Sequence, residues 1–198
     1  LRAFQRNDMV HQDLKPENIM LTVDGKVKIL DFGTVLIAGS QEMNSPLDKS
    51  IPQGSVNYIA PEYLMGLSGT MRSDLFSLGV IVYEMLVGKL PYKERSPRAG
   101  KLNSYAELTY TPGKYFRKDL PVWVDAALQK ALQPDPENRY EAFSEFFTDI
   151  SAPNRALEAD LQHRPILEKN PVLFWKLTAL ALLLGNLFQM FYRIFNAG

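Results

Sequence analysis

The side chains best suited to chemistry lie in two short clusters near the start of the chain, residues 11–18 and 31–33. The first cluster is His-Gln-Asp-Leu-Lys-Pro-Glu-Asn and the second is Asp-Phe-Gly. Phosphoryl transfer needs a carboxylate that orients a hydroxyl and accepts its proton, oxygen ligands for a divalent cation, and a positive charge beside the moving phosphoryl group. The side chains that fit these roles are Asp13, Lys15, Asn18 and Asp31.

Each cluster alone also has an ordinary structural explanation. Asp-Phe-Gly suits a turn that ends a strand, and His-Gln-Asp suits a capped turn beside a core histidine. The order of the segments distinguishes this chain, because the first cluster is followed by a short hairpin and then by the second cluster. The hairpin is predicted from Asp24-Gly25, a turn dipeptide between the apolar run 19–21 and the alternating run 27–30.

The remaining segments predict a mainly helical domain. Residues 73–88 are apolar on nearly every side, which predicts a helix buried at the centre of the domain. Ser73 or Asp74 fits its N-cap and Gly88 its C-terminal stop. Other elements are predicted as amphipathic helices at 104–108, 121–132 and 141–150, a long loop at 38–57 and a linker at 151–171.

Composition narrows the class of protein. The chain has 198 residues, 46% of them hydrophobic, which is typical of a packed globular core. Lys and Arg together number 22, as do Asp and Glu, so no overall positive charge favours a nucleic-acid partner. The chain has no cysteine, which excludes disulfides and cysteine-ligated zinc. It has two histidines, so the sequence does not favour a metal site built from histidines.

In this order the motifs resemble the C-terminal lobe of eukaryotic-type protein kinases, over residues 1–150. The further matches, in chain order, are Gly54-Ser55 with Tyr58, Ala60-Pro61-Glu62, Ser73 to Gly79, and Arg139. The resemblance implies a mainly α fold, in which small β-hairpins carry the catalytic loop and a helical bundle surrounds a buried central helix. A transmembrane helix is expected to follow this lobe.

The resemblance also implies roles for the chemical residues. Asp13 is expected to be the catalytic base, and Lys15 to steady the γ-phosphate of ATP. Asn18 and Asp31 are expected to hold Mg²⁺, or Mn²⁺ in its place. Lys15 beside the base resembles the serine/threonine subclass, so the expected substrates are proteins with Ser or Thr hydroxyls.

Five further residues are expected to support the site. His11 is expected to be structural, and Ser55 to replace a threonine that contacts the catalytic loop in the family. Glu62 and Arg139 are expected to form an ion pair. Asp74 fits two interpretations, a helix N-cap and an anchor for the backbone of the catalytic loop.

Two departures from the family pattern matter. Gln12 replaces the arginine that receives the phosphate of a phosphorylated activation loop, which predicts activation without such a phosphate. No glycine-rich loop, strand lysine or partner glutamate precedes the catalytic loop. We therefore expect the small lobe that covers ATP to be absent from this chain and to act as its partner.

The C-terminal segment is strongly apolar. Leu177 to Tyr192 are 16 residues without a charge, flanked by Lys176 and Arg193. With aromatic residues at both ends, this pattern predicts a transmembrane helix over 172–195. Basic residues on its N-terminal side predict a single-pass membrane protein whose kinase part faces the cytoplasm.

Residues 163–175 resemble the C-terminus of bacterial bifunctional serine/threonine kinase/phosphatases, in which a phosphatase domain would precede the kinase. The alternative function is a non-catalytic kinase-like lobe that serves as a docking module. The four intact chemical residues favour the enzyme, because a scaffold needs none of them.

Overall fold

The computed structural model describes residues 1–37, 55–95, 102–157, 159 and 171–196. The chain divides into two units, Leu1–Leu157 and Glu158–Gly198. Most of the predicted loop 38–57, including Gly54, lies outside the described residues, as do most of the linker and the side chain of Ser55. The described part of the first unit is mostly helical with few strands, which confirms the predicted mainly α class.

Four short strands carry the two chemical clusters. A short helix, α1 (Arg2–Arg6), precedes β1 (Met9–Val10), which pairs antiparallel with β4 (Leu36–Ile37). Between them, β2 (Ile19–Leu21) and β3 (Val27–Ile29) form a second antiparallel pair. The first cluster therefore lies in the loop between β1 and β2, and the second in the loop between β3 and β4.

The predicted turn at Asp24-Gly25 joins β2 and β3. Gly25 has φ of 76°, a left-handed conformation that favours glycine. The Thr22 hydroxyl donates to Asp24 Oδ1 at 2.5 Å and to the Lys26 carbonyl at 2.9 Å, closing the turn. The register Ile19↔Ile29 places the end of β3 beside the end of the first cluster.

The central helix, α3, spans Met71–Val87. Its N-cap is Thr70, whose hydroxyl accepts from Arg72 N, while the Ser73 hydroxyl accepts from Thr70 N at 2.9 Å. The predicted N-cap at Ser73 or Asp74 is therefore wrong, because the helix begins one turn earlier and both residues lie inside it. Gly88, with φ of 72°, ends the helix as predicted.

The core forms around α3. Other helices of this unit among the described residues include α2 (Pro61–Leu64), α4 (Gly113–Phe116), α5 (Val122–Ala131) and α6 (Phe143–Ser151). At Gly79 a Cβ atom would lie 3.3 Å from the Leu132 side chain, so a glycine lets α3 approach the end of α5 closely. Residues 104–108 form only a 3-10 turn, Tyr105–Glu107, instead of the predicted helix.

The predicted C-terminal helix is present as α7 (Pro171–Asn196). Among the described residues, however, no helix combines the length and the apolar character needed to cross a membrane. This finding does not support the predicted transmembrane span over 172–195. Polar residues within the apolar stretch, Asn186 and Gln189, lower its mean hydropathy.

Candidate active site

The first cluster forms a tight loop between β1 and β2. Lys15 is extended, and Pro16–Asn18 form one 3-10 turn, closed by a bond from Asn18 N to the Lys15 carbonyl at 3.0 Å. Leu30 N donates to the Asn18 carbonyl at 2.8 Å, which joins this turn to the end of β3. The two clusters are thus linked through backbone as well as side chains.

Asp13, Lys15 and Asn18 lie within hydrogen-bond distance of one another. The Lys15 ammonium is 2.7 Å from Asp13 Oδ2. Asn18 Nδ2 donates to Asp13 Oδ2 at 3.1 Å and to the Asp13 carbonyl at 2.8 Å. Because Nδ2 makes both bonds, Asn18 Oδ1 is the amide atom left to act as a cation ligand.

Asp31 occupies a strained turn directly after β3. Its φ is 58°, in the left-handed region, which aspartate tolerates better than most residues. Gly33 N donates to Asp31 Oδ1 at 3.1 Å, and the side chain is exposed. The exposed carboxylate suits a hard cation such as Mg²⁺.

The His11 side chain links the first cluster to Leu30, the residue before the second cluster. Its Nε2 lies 3.1 Å from the Leu30 carbonyl, and its Nδ1 lies 3.4 Å from Asp13 N. Burial lowers the pKa of His11, although the Leu30 carbonyl and nearby carboxylates oppose that shift. A neutral ring with the proton on Nε2 satisfies both contacts, since Nδ1 then accepts and Nε2 donates.

A small aromatic group covers this histidine. The Phe32 ring stacks on Phe4 with centroids 5.7 Å apart, and the His11 ring lies 5.9 Å from Phe32. The side chain that follows Asp31 is therefore packed against α1 and the first loop. This packing helps to hold the strained turn.

Asp74 binds the backbone of the first loop from within α3. Its Oδ2 accepts from His11 N at 2.6 Å and its Oδ1 from Gln12 N at 2.9 Å. The side chain is 1% exposed, and burial raises its pKa to about 6 although both amides oppose the shift. Gln12 itself is 6% exposed and has φ of 69°, so the residue before Asp13 is buried and strained.

Glu62 and Arg139 form a buried, bidentate ion pair. Two guanidinium nitrogens lie 2.8 Å from the two carboxylate oxygens, and both side chains are almost fully buried. Ser73 adds a bond to Glu62 Oε1 at 2.6 Å, a role that the sequence interpretation missed. This pair joins α2 to the segment before α6, and among the described residues it has no hydrogen bond to Asp13 or Asp31, so it supports the fold around the site.

A cleft opens beside residues 56–61, at the start of α2. Apolar side chains line much of it, among them Val56, Ile59, Leu64, Phe76, Leu90 and Leu108. Between Val56 and Ile59, the Tyr58 hydroxyl donates to Glu84 Oε2 at 2.5 Å. Burial, this bond and the negative charges of Glu84 and Glu17 raise the pKa of Tyr58.

A model of the protein kinase domain matches residues 1–148. This chain belongs to the protein kinase family. Three similar proteins are probable serine/threonine-protein kinases of Clostridium acetobutylicum (32% identity) and Streptomyces coelicolor (35%), and the serine/threonine-protein kinase PknB of Mycobacterium tuberculosis (34%). The aligned regions cover 76%, 77% and 76% of this chain.

The same regions cover only 22%, 22% and 24% of those relatives. The chain therefore spans about a quarter or less of the length of the kinases that it matches. By the resemblance of their motifs, residues 11–18 correspond to the catalytic loop of the family, and residues 31–62 correspond to its activation segment.

Proposed function

We propose that this chain is the catalytic-loop and substrate-binding lobe of a kinase that transfers the γ-phosphate of ATP to Ser or Thr hydroxyls of proteins. The observation that carries the proposal is that the Lys15 ammonium lies 2.7 Å and the Asn18 amide 3.1 Å from the Asp13 carboxylate, all in one loop. A docking module has no need of this arrangement.

In the proposed reaction, Asp13 is the residue that meets the substrate. Its carboxylate orients the attacking hydroxyl and accepts its proton. The bonds from Lys15 and Asn18 to Oδ2 fix the carboxylate, which leaves Oδ1 to face a hydroxyl. Lys15 also places a positive charge beside Asp13, where negative charge develops on the transferred group.

The cation ligands fit magnesium. Asn18 Oδ1 and the Asp31 carboxylate are hard oxygen donors, which suit Mg²⁺ or Mn²⁺ bound together with ATP phosphates. When bound, the metal would neutralise phosphate charge. Among the described residues, no group of three or more His, Cys, Asp or Glu side chains is placed to hold a metal ion.

Exposed apolar side chains on β2, on β3 and in the turn after β3 support a covering partner. Leu21 is 71% exposed and Val27 66%, and Met20 and Phe32 are also exposed. Apolar surfaces of this kind mark contacts with another part of a protein or with a ligand. We propose that the small lobe of the kinase and the base of ATP cover them.

The proposed protein substrate binds beside the activation segment. The cleft between Val56 and Leu108 is lined by apolar side chains together with Asn57, Lys93 and Arg95. We propose that the substrate segment whose Ser or Thr hydroxyl lies at Asp13 extends into this cleft.

A phosphatase domain before the kinase and a membrane location stay predictions. They depend on the resemblance of residues 163–175 to bifunctional kinase/phosphatases and on the charge pattern of the tail.

The proposal is tested by incubating the full-length protein with labelled ATP, Mg²⁺ and a protein acceptor, followed by phosphoamino-acid analysis. We expect phosphoserine or phosphothreonine, with incorporation lost in Asp31→Asn. Phosphotyrosine as the main product, or undiminished incorporation in Asp31→Asn, would contradict it.

A further inference from the structure

The His11 carbonyl lies just beyond the last residue pair of β1 and β4. Strands β1 and β4 pair Met9 with Ile37 and Val10 with Leu36, so the next pair along the ladder would be His11 with Val35. That pair does not form, because Val35 N donates to the Phe32 carbonyl at 3.2 Å in the turn after Asp31. The ladder therefore ends one residue before the catalytic loop.

A side chain takes over where the ladder ends. The Thr34 hydroxyl donates to the His11 carbonyl at 2.8 Å, across 23 residues of chain. His11 is fully buried, and a buried carbonyl without a donor is costly. Thr34 therefore replaces the missing backbone donor.

This bond joins the two catalytic segments, because the side chain of one donates to the backbone of the other. His11 is two residues before Asp13, and Thr34 is three residues after Asp31. Asp31 holds a left-handed conformation, which persists only when its surroundings fix it. On its other side the turn is fixed by the contact between His11 Nε2 and the Leu30 carbonyl at 3.1 Å.

We propose that Thr34 is a positioning residue: its hydroxyl fixes the first turn of the activation segment to the catalytic loop and so sets the position of Asp31 relative to Asp13. The inference rests on the proposed kinase function for its catalytic consequence. Because the bond acts through Asp31, its loss raises the Mg²⁺ concentration that the kinase needs. It leaves binding of the protein substrate unchanged.

The test compares Thr34→Val with Thr34→Ser in the full-length protein. Valine keeps the shape of threonine without the hydroxyl, and serine keeps the hydroxyl. Thr148→Val is the matched control, because the Thr148 hydroxyl bonds only to the Ser144 carbonyl within α6. The readouts are the Mg²⁺ concentration at half-maximal kinase activity, the KM for the protein substrate, and amide hydrogen exchange over residues 31–37.

In Thr34→Val we expect the half-maximal Mg²⁺ concentration to rise about three- to tenfold, the effect of losing one neutral hydrogen bond. Exchange over 31–37 should accelerate, and the KM for the protein substrate should stay unchanged. Thr34→Ser and Thr148→Val should match the wild type in all three.

Equal behaviour of Thr34→Val and the wild type would overturn the inference, as would equal defects in Thr34→Val and Thr34→Ser. Faster exchange with an unchanged Mg²⁺ requirement would show that Thr34 is only a structural contact. That result would also overturn the inference. If the wild type shows no kinase activity, the proposed function fails, and hydrogen exchange alone still decides whether Thr34 fixes the turn.

Discussion

At the scale of single residues, Asp74 shows how a buried charge can serve a site that it does not enter. Its carboxylate accepts from two consecutive amides, those of His11 and Gln12, and so holds the backbone just before Asp13. The ionised form is the better acceptor, yet burial raises the pKa of Asp74 to about 6. Protonation therefore competes with the function of this residue close to neutral pH.

We predict that kinase activity of the full-length protein rises with pH through about 6 and that Asp74→Asn lacks this dependence. Activity of Asp74→Asn should be roughly 10- to 100-fold lower, because charge-assisted hydrogen bonds are lost. Initial rates from pH 5 to 8 provide the measurement. A rise centred near pH 6 that persists in Asp74→Asn would show that another group is responsible.

Stability should respond to Asp74 in the opposite direction. The pKa of Asp74 is raised from 3.8 to about 6 on folding, so its contribution to stability is present below pH 3.8 and is lost as pH rises through about 6. We predict that Asp74→Asn removes this loss, which can be measured as the difference in unfolding free energy between the two proteins at pH 5 and pH 7. Identical pH dependence in both proteins would contradict this.

Gln12 leads to a separate prediction about regulation. It is buried and uncharged, so it cannot receive a phosphate as an arginine would. Replacing Ser40, Ser45, Ser50 or Ser55 with Ala, one at a time in the full-length protein, should leave activity within about twofold of the wild type for the first three. A large loss restored by a phosphomimic at one of those three positions would refute this. Ser40, Ser45 and Ser50 lie outside the described residues.

At the scale of elements, the ion pair of Glu62 with Arg139 joins α2, at the end of the activation segment, to the segment before α6. Arg139 also donates to the Gln133 and Pro134 carbonyls at 2.7 Å each, and its guanidinium lies 4.8 Å from the centre of the Phe76 ring. One side chain thus connects α2, α3 and the loop after α5. Loss of the Arg139 side chain should therefore lower the stability of the fold more than it affects phosphoryl transfer.

We predict that Arg139→Gln lowers the free energy of unfolding by about 3–5 kcal/mol, because Glu62 is left buried without its partner. The double variant Glu62→Gln with Arg139→Gln should lose less than the sum of the two single changes. Lys26→Met, which removes the exposed pair with Asp24, is the control and should change little. Chemical denaturation of the full-length proteins measures these values, and strict additivity would contradict the pairing.

Several elements could be predicted from the sequence because their signals are local. Asp24-Gly25 specifies a tight turn by itself, and the apolar residues of α3 specify burial whatever surrounds them. The sequence predicts the N-cap of α3 at the wrong residue, because Thr70 and Ser73 are both good capping residues and the sequence does not distinguish them. The bond from Thr34 to His11 could not be predicted, because it depends on two-residue strands that pair across the whole hairpin.

At the scale of the molecule, one surface of the catalytic region is apolar and uncovered. Leu21, Val27 and Phe32 lie on β2, on β3 and in the turn after β3, and all three are exposed, whereas an apolar core is buried around α3. In the proposed kinase this surface receives the small lobe and ATP. The catalytic loop alone therefore gives only half of an ATP site.

We accordingly predict that residues 1–198 produced alone lack measurable kinase activity, whereas the full-length protein is active. The reason is that half of the proposed ATP site is uncovered in this unit, so nucleotide is held poorly. Phosphorylation assays at matched concentrations, with circular dichroism to verify folding, make the comparison. Robust activity of the 198-residue chain that disappears in Asp13→Asn would refute the two-part site.

The central claim is that Asp13 is the base of a phosphotransferase, and one comparison tests it most directly. Initial rates of labelled phosphate transfer by the full-length protein should be measured for the wild type, Asp13→Asn and Asp24→Asn, where Asp24 is the exposed aspartate of the β2–β3 turn. The account predicts a loss of about 100-fold or more in Asp13→Asn and a rate close to wild type in Asp24→Asn. Transfer that continues undiminished in Asp13→Asn would contradict it.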